Sequence, residues 1–495
     1  MIDTYVKEFE EKVSKIREKK EYFRIKPNVC VVGEVSVGKS SLLNLLLGAN
    51  IFKSSIGETT KKISKIKKND DRIIFSELEG NEFKEKQIFE RFIFNKPGSE
   101  FLEYLEIVDI PGYDGSFNND ITNYLMNNDY HIVLFIIDIS KGFKKNNYEL
   151  LNMLKNAEPY ILFLLNKIDL YEDEDKDDIR DLIEKMKQFV EANYPKNKIL
   201  GYIPVSANKF KNNDKLVKIL QDIIILTSYV CTFKFNLDEI RDSYIYSIES
   251  YIEIIEQLSQ FFIIYYLVNL NKGLQEISNF DIIMNGESSI KSLINNLNSN
   301  LEKLLVEIIE EINNSFKEYI KNISKRINEM AISYIDLLNI NFHHSLIQKN
   351  TLLDFTNFNL EQVSYSNQLL DEVIGKIIVS YGAGLLARLA LGSLIPGIGA
   401  LVFLGSLIYV LIDTNNKANE IRSKVYDEIA SKLPRIVSQT WSDICNEIKI
   451  NYINQILSIA DNPQINKFLD QLIFEAYNLN SKLSNFIIDN IEEIM

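Results

Sequence analysis

Cysteine, histidine, proline and glycine are all scarce in this 495-residue chain, which contains 3 Cys, 3 His, 9 Pro and 19 Gly. The low proline and glycine content excludes a collagen-like or proline-rich segment of any size. Cys30, Cys231 and Cys445 are odd in number and far apart, so they exclude a disulfide scaffold and fit a reducing compartment. With so few cysteine and histidine side chains, a Cys/His zinc site is not expected.

Positive charge is also scarce in the second half of the chain. Residues 231–495 hold 20 Lys and Arg against 32 Asp and Glu, whereas residues 1–230 hold 35 against 37. The acidic half argues against a phosphate-backbone surface for nucleic acid and against a polybasic patch for anionic lipid. We therefore expect no nucleic-acid partner, and we expect any membrane contact of this half to be apolar.

Hydrophobic residues make up 46% of the chain, which is enough to bury a core and excludes a mostly disordered protein. Residues 1–20 are charged throughout, so no secretory leader is expected at the start.

The first 225 residues predict one helix followed by an α/β domain. Tyr5, Phe9, Val13 and Ile16 follow helical spacing within residues 1–25. Short apolar runs then alternate with polar helical stretches, which is typical of a largely parallel sheet. The predicted strands are Asn28–Val32, Arg72–Phe75, Leu105–Asp109, Ile132–Asp138, Tyr160–Leu165 and Ile199–Pro204.

Beyond residue 225 the pattern is helical. Apolar residues from Leu301 to Ile327 recur every three or four positions without a break, which predicts one long helix. Ile248, Ile252, Ile255 and Phe262 predict another. Both apolar stripes require partner helices.

The strongest motif is the run V-C-V-V-G-E-V-S-V-G-K-S-S at 29–41, in which an apolar strand leads into G-x-x-x-x-G-K-S and then into an apolar helical pattern. This context indicates a phosphate-binding P-loop, whose backbone N–H groups point at phosphate oxygens. We expect Lys39 to reach the β- and γ-phosphates and the Ser40 hydroxyl to bind Mg²⁺. The loop residues predicted to contact the nucleotide are Gly33, Glu34, Val35, Ser36, Val37, Gly38, Lys39, Ser40 and Ser41.

Further motifs follow in the order that a GTPase requires. Asp109 opens D-I-P-G after an apolar run, where its carboxylate can hold Mg²⁺ through water and the Gly112 N–H can sense the γ-phosphate. N-K-I-D at 166–169 ends another apolar run. A carboxylate at Asp169 accepts hydrogen bonds from guanine N1–H and its amine, whereas adenine presents an acceptor at N1. The expected ligands are therefore GTP or GDP with Mg²⁺.

The remaining side chains of the base site follow from the same motifs. We expect Asn166 to tie its loop to the P-loop and Lys167 to lie along the base. Ser206 and Ala207 in V-S-A end the next apolar run and are expected to offer backbone N–H groups to guanine O6.

The segment G-E-T-T at 57–60 lies between the P-loop and D-I-P-G. A threonine there can bind Mg²⁺ and the γ-phosphate and order its loop when triphosphate is bound. Thr60 is the first choice and Thr59 the second. The basic run at 61–68 is expected to be a solvated face.

With these motifs, the chain resembles the dynamin superfamily of large GTPases, especially its bacterial dynamin-like and mitofusin-like branch. The resemblance rests on G-E-V-S-V-G-K-S-S, on G-E-T-T, and on a GTPase domain flanked by an N-terminal helix and a long helical half. It implies that Ser36 is a catalytic serine that helps order the attacking water and the β-phosphate, and that Thr60 is the matching switch threonine. Lys39 and Mg²⁺ would stabilise the charge during water attack.

The resemblance also implies a partner and a place of action. Two GTPase domains of this chain, or one with a related dynamin-like chain, would pair, and hydrolysis would move a helical stalk. The chain would be cytoplasmic and peripherally attached to a lipid membrane, which it would tether, fuse or remodel. Val35 stands where dynamins often have Gln, and Tyr113 offers no Gln after D-I-P-G. Both departures favour a rate that rises on pairing.

The expected fold is an α/β P-loop GTPase domain with a mostly parallel sheet, plus an elongated all-α helical bundle stalk with an apolar hairpin tip. The predicted boundaries are a helix packing on the bundle at 1–25, the GTPase domain at 26–225, the stalk at 226–375, the apolar hairpin at 376–412 and returning helices at 413–495.

The apolar segment has two interpretations. Leu389–Ile412 is 24 residues without a charge, and Pro396-Gly397 would break it into two arms. A re-entrant or interfacial hairpin therefore fits better than a single span. The alternative is a Gly-rich hairpin inside a soluble bundle, and both arrangements can alternate. The residues predicted to enter the membrane are Leu394, Ile395, Ile398, Leu401, Phe403 and Leu404.

Two other functions compete with membrane remodelling. One is an Era- or TrmE-like GTPase acting on ribosome or RNA, although its basic RNA module is missing from the pattern. The other is a GTP-gated scaffold with negligible hydrolysis, which Val35 and Tyr113 keep open.

Overall fold

The computed structural model describes most of the chain in two compact units. The described residues are 2–52, 62–70, 72–80, 82–90, 96–116, 119–126, 130–338 and 463–494, with separate parts of 418–457. The first unit comprises Met1–Glu239, Ile327–Leu352 and Asn462–Met495, and the second comprises Ile240–Arg326 and Leu353–Asp461.

An eight-stranded sheet organises the first unit. Its strands are β1 (Asn28–Gly33), β2 (Ser64–Asn69), β3 (Arg72–Glu79), β4 (Glu82–Glu90), β5 (Glu106–Asp109), β6 (Ile132–Asp138), β7 (Tyr160–Asn166) and β8 (Ile199–Val205). The order is β4-β3-β2-β5-β1-β6-β7-β8. The five strands from β5 to β8 in this order are parallel, whereas β2 pairs antiparallel with β5, β3 with β2, and β4 with β3. The expected mostly parallel sheet is confirmed.

Every residue of β6, β7 and β8 is buried, because helices cover these parallel strands. The helices of this part are α1 (Ile2–Glu18), α2 (Lys39–Leu47), α3 (Lys96–Tyr104), α4 (Asn119–Met126), α5 (Lys145–Leu154), α6 (Lys176–Asn193) and α7 (Asp214–Cys231). The carboxyl ends of β1, β5, β6, β7 and β8 therefore meet at one edge of the sheet, where loops lead into the helices.

The prediction of a solvated basic face at 61–68 is wrong, because residues 64–68 lie in β2. Ser64 pairs with Asp109 of β5 and Ile66 with Ile107, so Ile66 is fully buried. Alternation then places lysines on the other face, where Lys65 Nζ lies 2.6 Å from the Glu106 carboxylate. The strand β4 was not predicted either, since almost all of its residues are exposed and many are charged.

The remaining described residues are helical, as predicted. After α7 come α8 (Phe233–Glu276) and α9 (Asn279–Leu338), with 44 and 60 residues. The chain ends with α10 (Pro463–Asp489) and α11 (Ile491–Ile494). In the second unit, Tyr266, Leu270 and Ile294 form a core with Val425 and Ile429. The predicted combination of an α/β domain with a helical region is confirmed.

The C-terminal helix α10 packs on β8 at the edge of the sheet. The Asn480 side chain is fully buried, and its Nδ2 donates a hydrogen bond to Leu200 O at 2.6 Å. A Cβ at Gly201 would lie 2.8 Å from Asn480 Cβ, so the contact requires glycine. The helix α1 packs mainly on α7. The structure thus places α1 and α10 in the same unit as the sheet.

The apolar hairpin predicted at 376–412, with Leu394, Ile395, Ile398, Leu401, Phe403 and Leu404, lies outside the described residues. Among the described helices, none is by itself long and apolar enough to cross a bilayer; α7 and α8 meet that test only as a pair, across a bend of 42°.

Candidate nucleotide-binding site

The loop between β1 and α2 carries the P-loop residues, and Gly38 ends it in the left-handed backbone region at φ +91°. A Cβ at Gly38 would lie 2.3 Å from Asn166 Nδ2, so the position has no room for a side chain. Gly33 is equally confined, because a Cβ there would lie 2.4 Å from Ile136 O. The two glycines bracket a loop that turns into the N-terminus of α2, where backbone N–H groups favour anions.

Ser36 lies exposed at the middle of this loop with a φ of +63°. A residue other than glycine rarely adopts this region, and such backbones concentrate at functional sites. Val37 beside it is buried, while Val35 N donates a hydrogen bond to Tyr113 O at 3.1 Å. The loop therefore directs Ser36 outward and anchors its neighbours.

Lys39 begins α2, and its side chain is buried under the loop. Its Nζ donates hydrogen bonds to Gly33 O at 3.2 Å and to Glu34 O at 3.1 Å. Burial lowers the pKa of Lys39, whereas the carboxylates of Asp109 and Glu34 act in the opposite direction. The ammonium group is thus held by carbonyl oxygens of the loop and is stabilised electrostatically by the carboxylates of Asp109 and Glu34.

The D-I-P-G loop follows β5 next to the P-loop. Asp109 pairs in register with Val31 of β1, and its side chain is fully buried. Ser40 is half-buried in the first turn of α2. Gly112 packs closely on the P-loop, since a Cβ there would lie 2.9 Å from Val35 Cα and 3.1 Å from Lys39 Nζ. The structure therefore packs the D-I-P-G loop against the P-loop, with Asp109 and Gly112 close to Lys39.

Tyr113 points away from this loop pair. Its backbone N–H donates to Gly33 O at 3.1 Å, but its hydroxyl donates to Glu149 Oε2 of α5 at 2.8 Å. Burial, followed by Glu149, raises the pKa of Tyr113 to about 12, so the phenol stays protonated as a donor. The Tyr113 side chain is 2% exposed and cannot orient a water molecule at a phosphate.

Asn166 joins three loops at the other side of the P-loop. Its Nδ2 donates to Val37 O at 2.8 Å, and its Oδ1 accepts a hydrogen bond from Ala207 N at 3.1 Å. Asp169 accepts a hydrogen bond at 2.7 Å from the Ser206 hydroxyl, which in turn accepts one from Lys209 N. The base loops are therefore positioned by their own side chains, whereas the sequence had suggested only backbone roles for Ser206.

A cavity of about 590 Å³ opens between these loops. Its lining includes Gly38, Ser41, Asn166, Lys167, Asp169 and Ala207, and it extends to Asn50 and Lys211. A cavity of this size, with a few converging polar groups, suits a nucleotide base. Thr59 and Thr60 lie outside the described residues.

Sequence reasoning missed two side chains. Asp138 ends β6 beside Asn166 and accepts a hydrogen bond from Lys167 Nζ at 2.5 Å. The position of Asp138 at the carboxyl end of an apolar strand could have identified it as a candidate site residue. Glu149, the partner of Tyr113, gave no signal because it lies on a polar helix face.

Residues 25–225 match the family described as the elongation factor Tu GTP binding domain. GTPase Era of Clostridium perfringens (strain 13 / Type A) is 28% identical over 195 residues, covering 39% of this chain and 53% of that protein. GTPase Era of Clostridioides difficile (strain 630) is 26% identical over 200 residues, covering 40% and 55%. The chain spans about half the length of these curated relatives.

Two solved structures illustrate the range of similarity. Era in complex with MgGDPNP and a segment of 16S ribosomal RNA has a TM-score of 0.27 and 22% identity, over 39% of this chain and 55% of that one. An oligomerised bacterial dynamin pair has a TM-score of 0.26 and 16% identity, over 97% and 91%. TM-scores this low support no functional argument. The family match and the site together make residues 25–225 a GTP-binding GTPase domain.

Proposed function

We propose that this chain is a dynamin-like GTPase that hydrolyses GTP with Mg²⁺, pairs through its GTPase domain, and moves its helices to tether, fuse or remodel a membrane. It would act in the cytoplasm as a peripheral membrane protein. The partner would be a second copy or a related dynamin-like chain, and no nucleic acid is required.

The contrast between Ser36 and Tyr113 supports this proposal most directly. Ser36 lies exposed at the middle of the P-loop, whereas the Tyr113 side chain is bound to Glu149 away from it. The residue after D-I-P-G therefore supplies no group for the attacking water. Among the P-loop side chains that the structure describes, Ser36 would order that water. A second copy of the chain would complete the arrangement.

The residues present fit a bound Mg²⁺ ion. Ser40 and the fully buried Asp109 offer the hard oxygen ligands that this ion prefers, and Thr60 is the predicted third contributor. When bound, Mg²⁺ would neutralise charge on the β- and γ-phosphate oxygens. In this arrangement, the buried Asp109 carboxylate would have both Mg²⁺ and Lys39 as counter-charges.

Hydrolysis would depend on positioning and charge rather than on covalent catalysis. Lys39 Nζ donates to Gly33 O and Glu34 O in this structure. With GTP bound, it would donate to the β- and γ-phosphate oxygens instead, as charge develops there. The loop N–H groups would hold the β-phosphate, and Ser36 would hold the attacking water. Asp169 would select guanine, with its carboxylate oriented by Ser206.

GTP turnover measured against protein concentration tests the proposal. We expect turnover per molecule to rise with concentration, and Ser36→Ala to lower the high-concentration rate at least about tenfold while nucleotide binding persists. Lys39→Ala is the inactive control. No turnover at any concentration would instead support a GTP-gated scaffold, and a constant rate per molecule would contradict pairing.

An Era-like role on RNA is the second candidate, since the matched relatives include GTPase Era. That similarity covers only the GTPase domain. We expect RNA binding to be weak and to disappear at high salt, as for non-specific contact. Salt-resistant binding to ribosomal RNA would favour this second candidate over membrane remodelling.

A further inference from the structure

Asp138 lies behind the base cavity at the carboxyl end of β6, and its side chain is 2% exposed. Its two carboxylate oxygens have different partners. Oδ2 accepts a hydrogen bond from Lys167 Nζ at 2.5 Å, whereas Oδ1 accepts hydrogen bonds from Ser140 Oγ at 2.6 Å and Ser140 N at 3.2 Å. Burial would raise the pKa of Asp138, but the bonds from Lys167 and Ser140 outweigh it and lower the pKa, so the group is ionised.

Lys167 connects this carboxylate to the cavity. Its backbone adopts φ +72°, and Lys167 is one of the residues that line the cavity, whereas Asp138 is not. The ammonium group is therefore anchored outside the cavity while the methylene stem forms part of the wall. A free lysine side chain would lose rotamer freedom when a ligand orders it. Here that ordering precedes the ligand.

We infer that Asp138 is a positioning residue for guanine nucleotide: by holding Lys167 Nζ, it keeps the lysine stem extended along the cavity wall against the face of the base. The inference rests on guanine-nucleotide binding by residues 25–225 and not on the proposed membrane activity.

A purely structural role for Asp138 is the alternative, because Oδ1 also caps the turn at Ile139–Lys141. The two oxygens allow the roles to be separated. Asp138→Asn keeps an acceptor for Ser140 but places an amide or a neutral oxygen opposite the lysine. Ser140→Ala removes the hydrogen bond from the hydroxyl to Oδ1, and it leaves the backbone N–H bond and the ion pair. Lys141 Nζ lies 3.6 Å from Asp138 Oδ2, so Lys141→Met controls for loss of a nearby charge.

Titration of the full-length chain with a fluorescent GDP analogue tests the inference, with thermal melting as a separate readout. We expect Asp138→Asn to raise Kd about tenfold, because the nucleotide would then have to order the lysine side chain itself. Ser140→Ala and Lys141→Met should each change Kd by less than about twofold. Lys167→Met should raise Kd as Asp138→Asn does, and adding Asp138→Asn to it should have no further effect, because the anchored group is already missing.

Several outcomes would overturn the inference alone: an unchanged Kd for Asp138→Asn, an equal loss for Ser140→Ala, or additive losses in the double variant. Coupling of Asp138 and Lys167 in melting temperature but not in Kd would likewise show a structural role only. If the wild-type chain bound no guanine nucleotide, guanine binding itself would be refuted, and the inference with it.

Discussion

Gly38 is restricted both by its left-handed backbone conformation and by the Asn166 side chain packed against it. We expect Gly38→Ala to weaken guanine-nucleotide binding at least about tenfold, because its Cβ would lie 2.3 Å from Asn166 Nδ2 at a φ of +91°. Equilibrium titration with a labelled nucleotide measures this loss. Gly80 is a matched control, since its φ is +65° but a Cβ there meets nothing within 4 Å. Wild-type affinity in Gly38→Ala would refute this view of the loop.

Asp222 is a second residue with a measurable consequence. Its side chain is fully buried on α7, and Oδ1 accepts a hydrogen bond from Lys218 Nζ at 2.7 Å. Burial raises its pKa to about 6 from an ordinary 3.8, Lys218 opposes this, and Glu10 and Glu100 reinforce it. Because the folded chain binds this proton more tightly, the contribution of Asp222 to the free energy of unfolding is greatest below about pH 4 and decreases as the pH rises to 6.

The corresponding substitution is Asp222→Asn. At pH 7 to 8, we expect it to raise the free energy of unfolding by up to about 3 kcal/mol, since the pKa is raised by about two units and this net rise already includes the opposing effect of Lys218. The gain should vanish near pH 4. Urea denaturation at both pH values measures it, with the exposed Asp177→Asn as control. A destabilised Asp222→Asn at pH 8 would show that the ion pair dominates.

At the scale of elements, the contact between α10 and β8 joins the C-terminal helix to the strand that leads into the base loop. Asn480 Nδ2 donates to Leu200 O, and Asn480 Oδ1 accepts a hydrogen bond from Thr227 Oγ1 at 3.3 Å. Asn480→Ala would leave the buried Leu200 carbonyl without this donor, so we expect a loss of about 1–3 kcal/mol in unfolding free energy. Denaturant unfolding measures it.

Thr227→Val is the matched control for that element, because it removes only the longer of the two bonds. It should cost less than Asn480→Ala. Equal losses for the two variants would show that the hydrogen bond with Thr227 of α7 stabilises this contact and that the one with Leu200 of β8 adds nothing.

The antiparallel strands β2 and β4 could not be predicted from apolar runs in the sequence. Six strands followed from apolar runs, whereas β2 and β4 carry charges and few apolar residues. Two lysines of β2 form ion pairs with acidic residues from outside the strand, Lys65 with Glu106 and Lys68 with Glu103. Such pairing depends on the partner element, so a local pattern could not predict it.

At the scale of the whole molecule, membrane attachment is the property that the proposed function most needs. We expect the full-length chain to cosediment with liposomes, and Leu401→Asp with Leu404→Asp to abolish this, because two charges in an apolar insertion cost several kcal/mol. A control with Ile88→Asp and Phe474→Asp alters two apolar side chains that are 51% and 60% exposed elsewhere. Equal sedimentation of wild type and the Leu401/Leu404 variant would refute an apolar membrane tip.

The local chemistry of this protein was determined by the sequence alone. The P-loop, D-I-P-G and N-K-I-D motifs each combine a strand, a turn and a functional side chain within a dozen residues, so short-range preferences specify them. The long helix α9 was equally predictable, because its apolar residues from Leu301 to Ile327 recur at helical spacing without a break, whereas only the part of α8 from Ile248 to Phe262 gave such a signal.

Only the tertiary structure decided how these local pieces act together. The direction of the Tyr113 hydroxyl toward Glu149, the anchoring of Lys167 by Asp138, and the packing of Asn480 on Leu200 join residues 36, 29 and 280 positions apart. Each of these contacts forms because the sheet order and the returning helix bring distant groups together in a buried environment, where an unpaired polar group would be costly. That requirement acts on the folded chain as a whole, and no local pattern contains it.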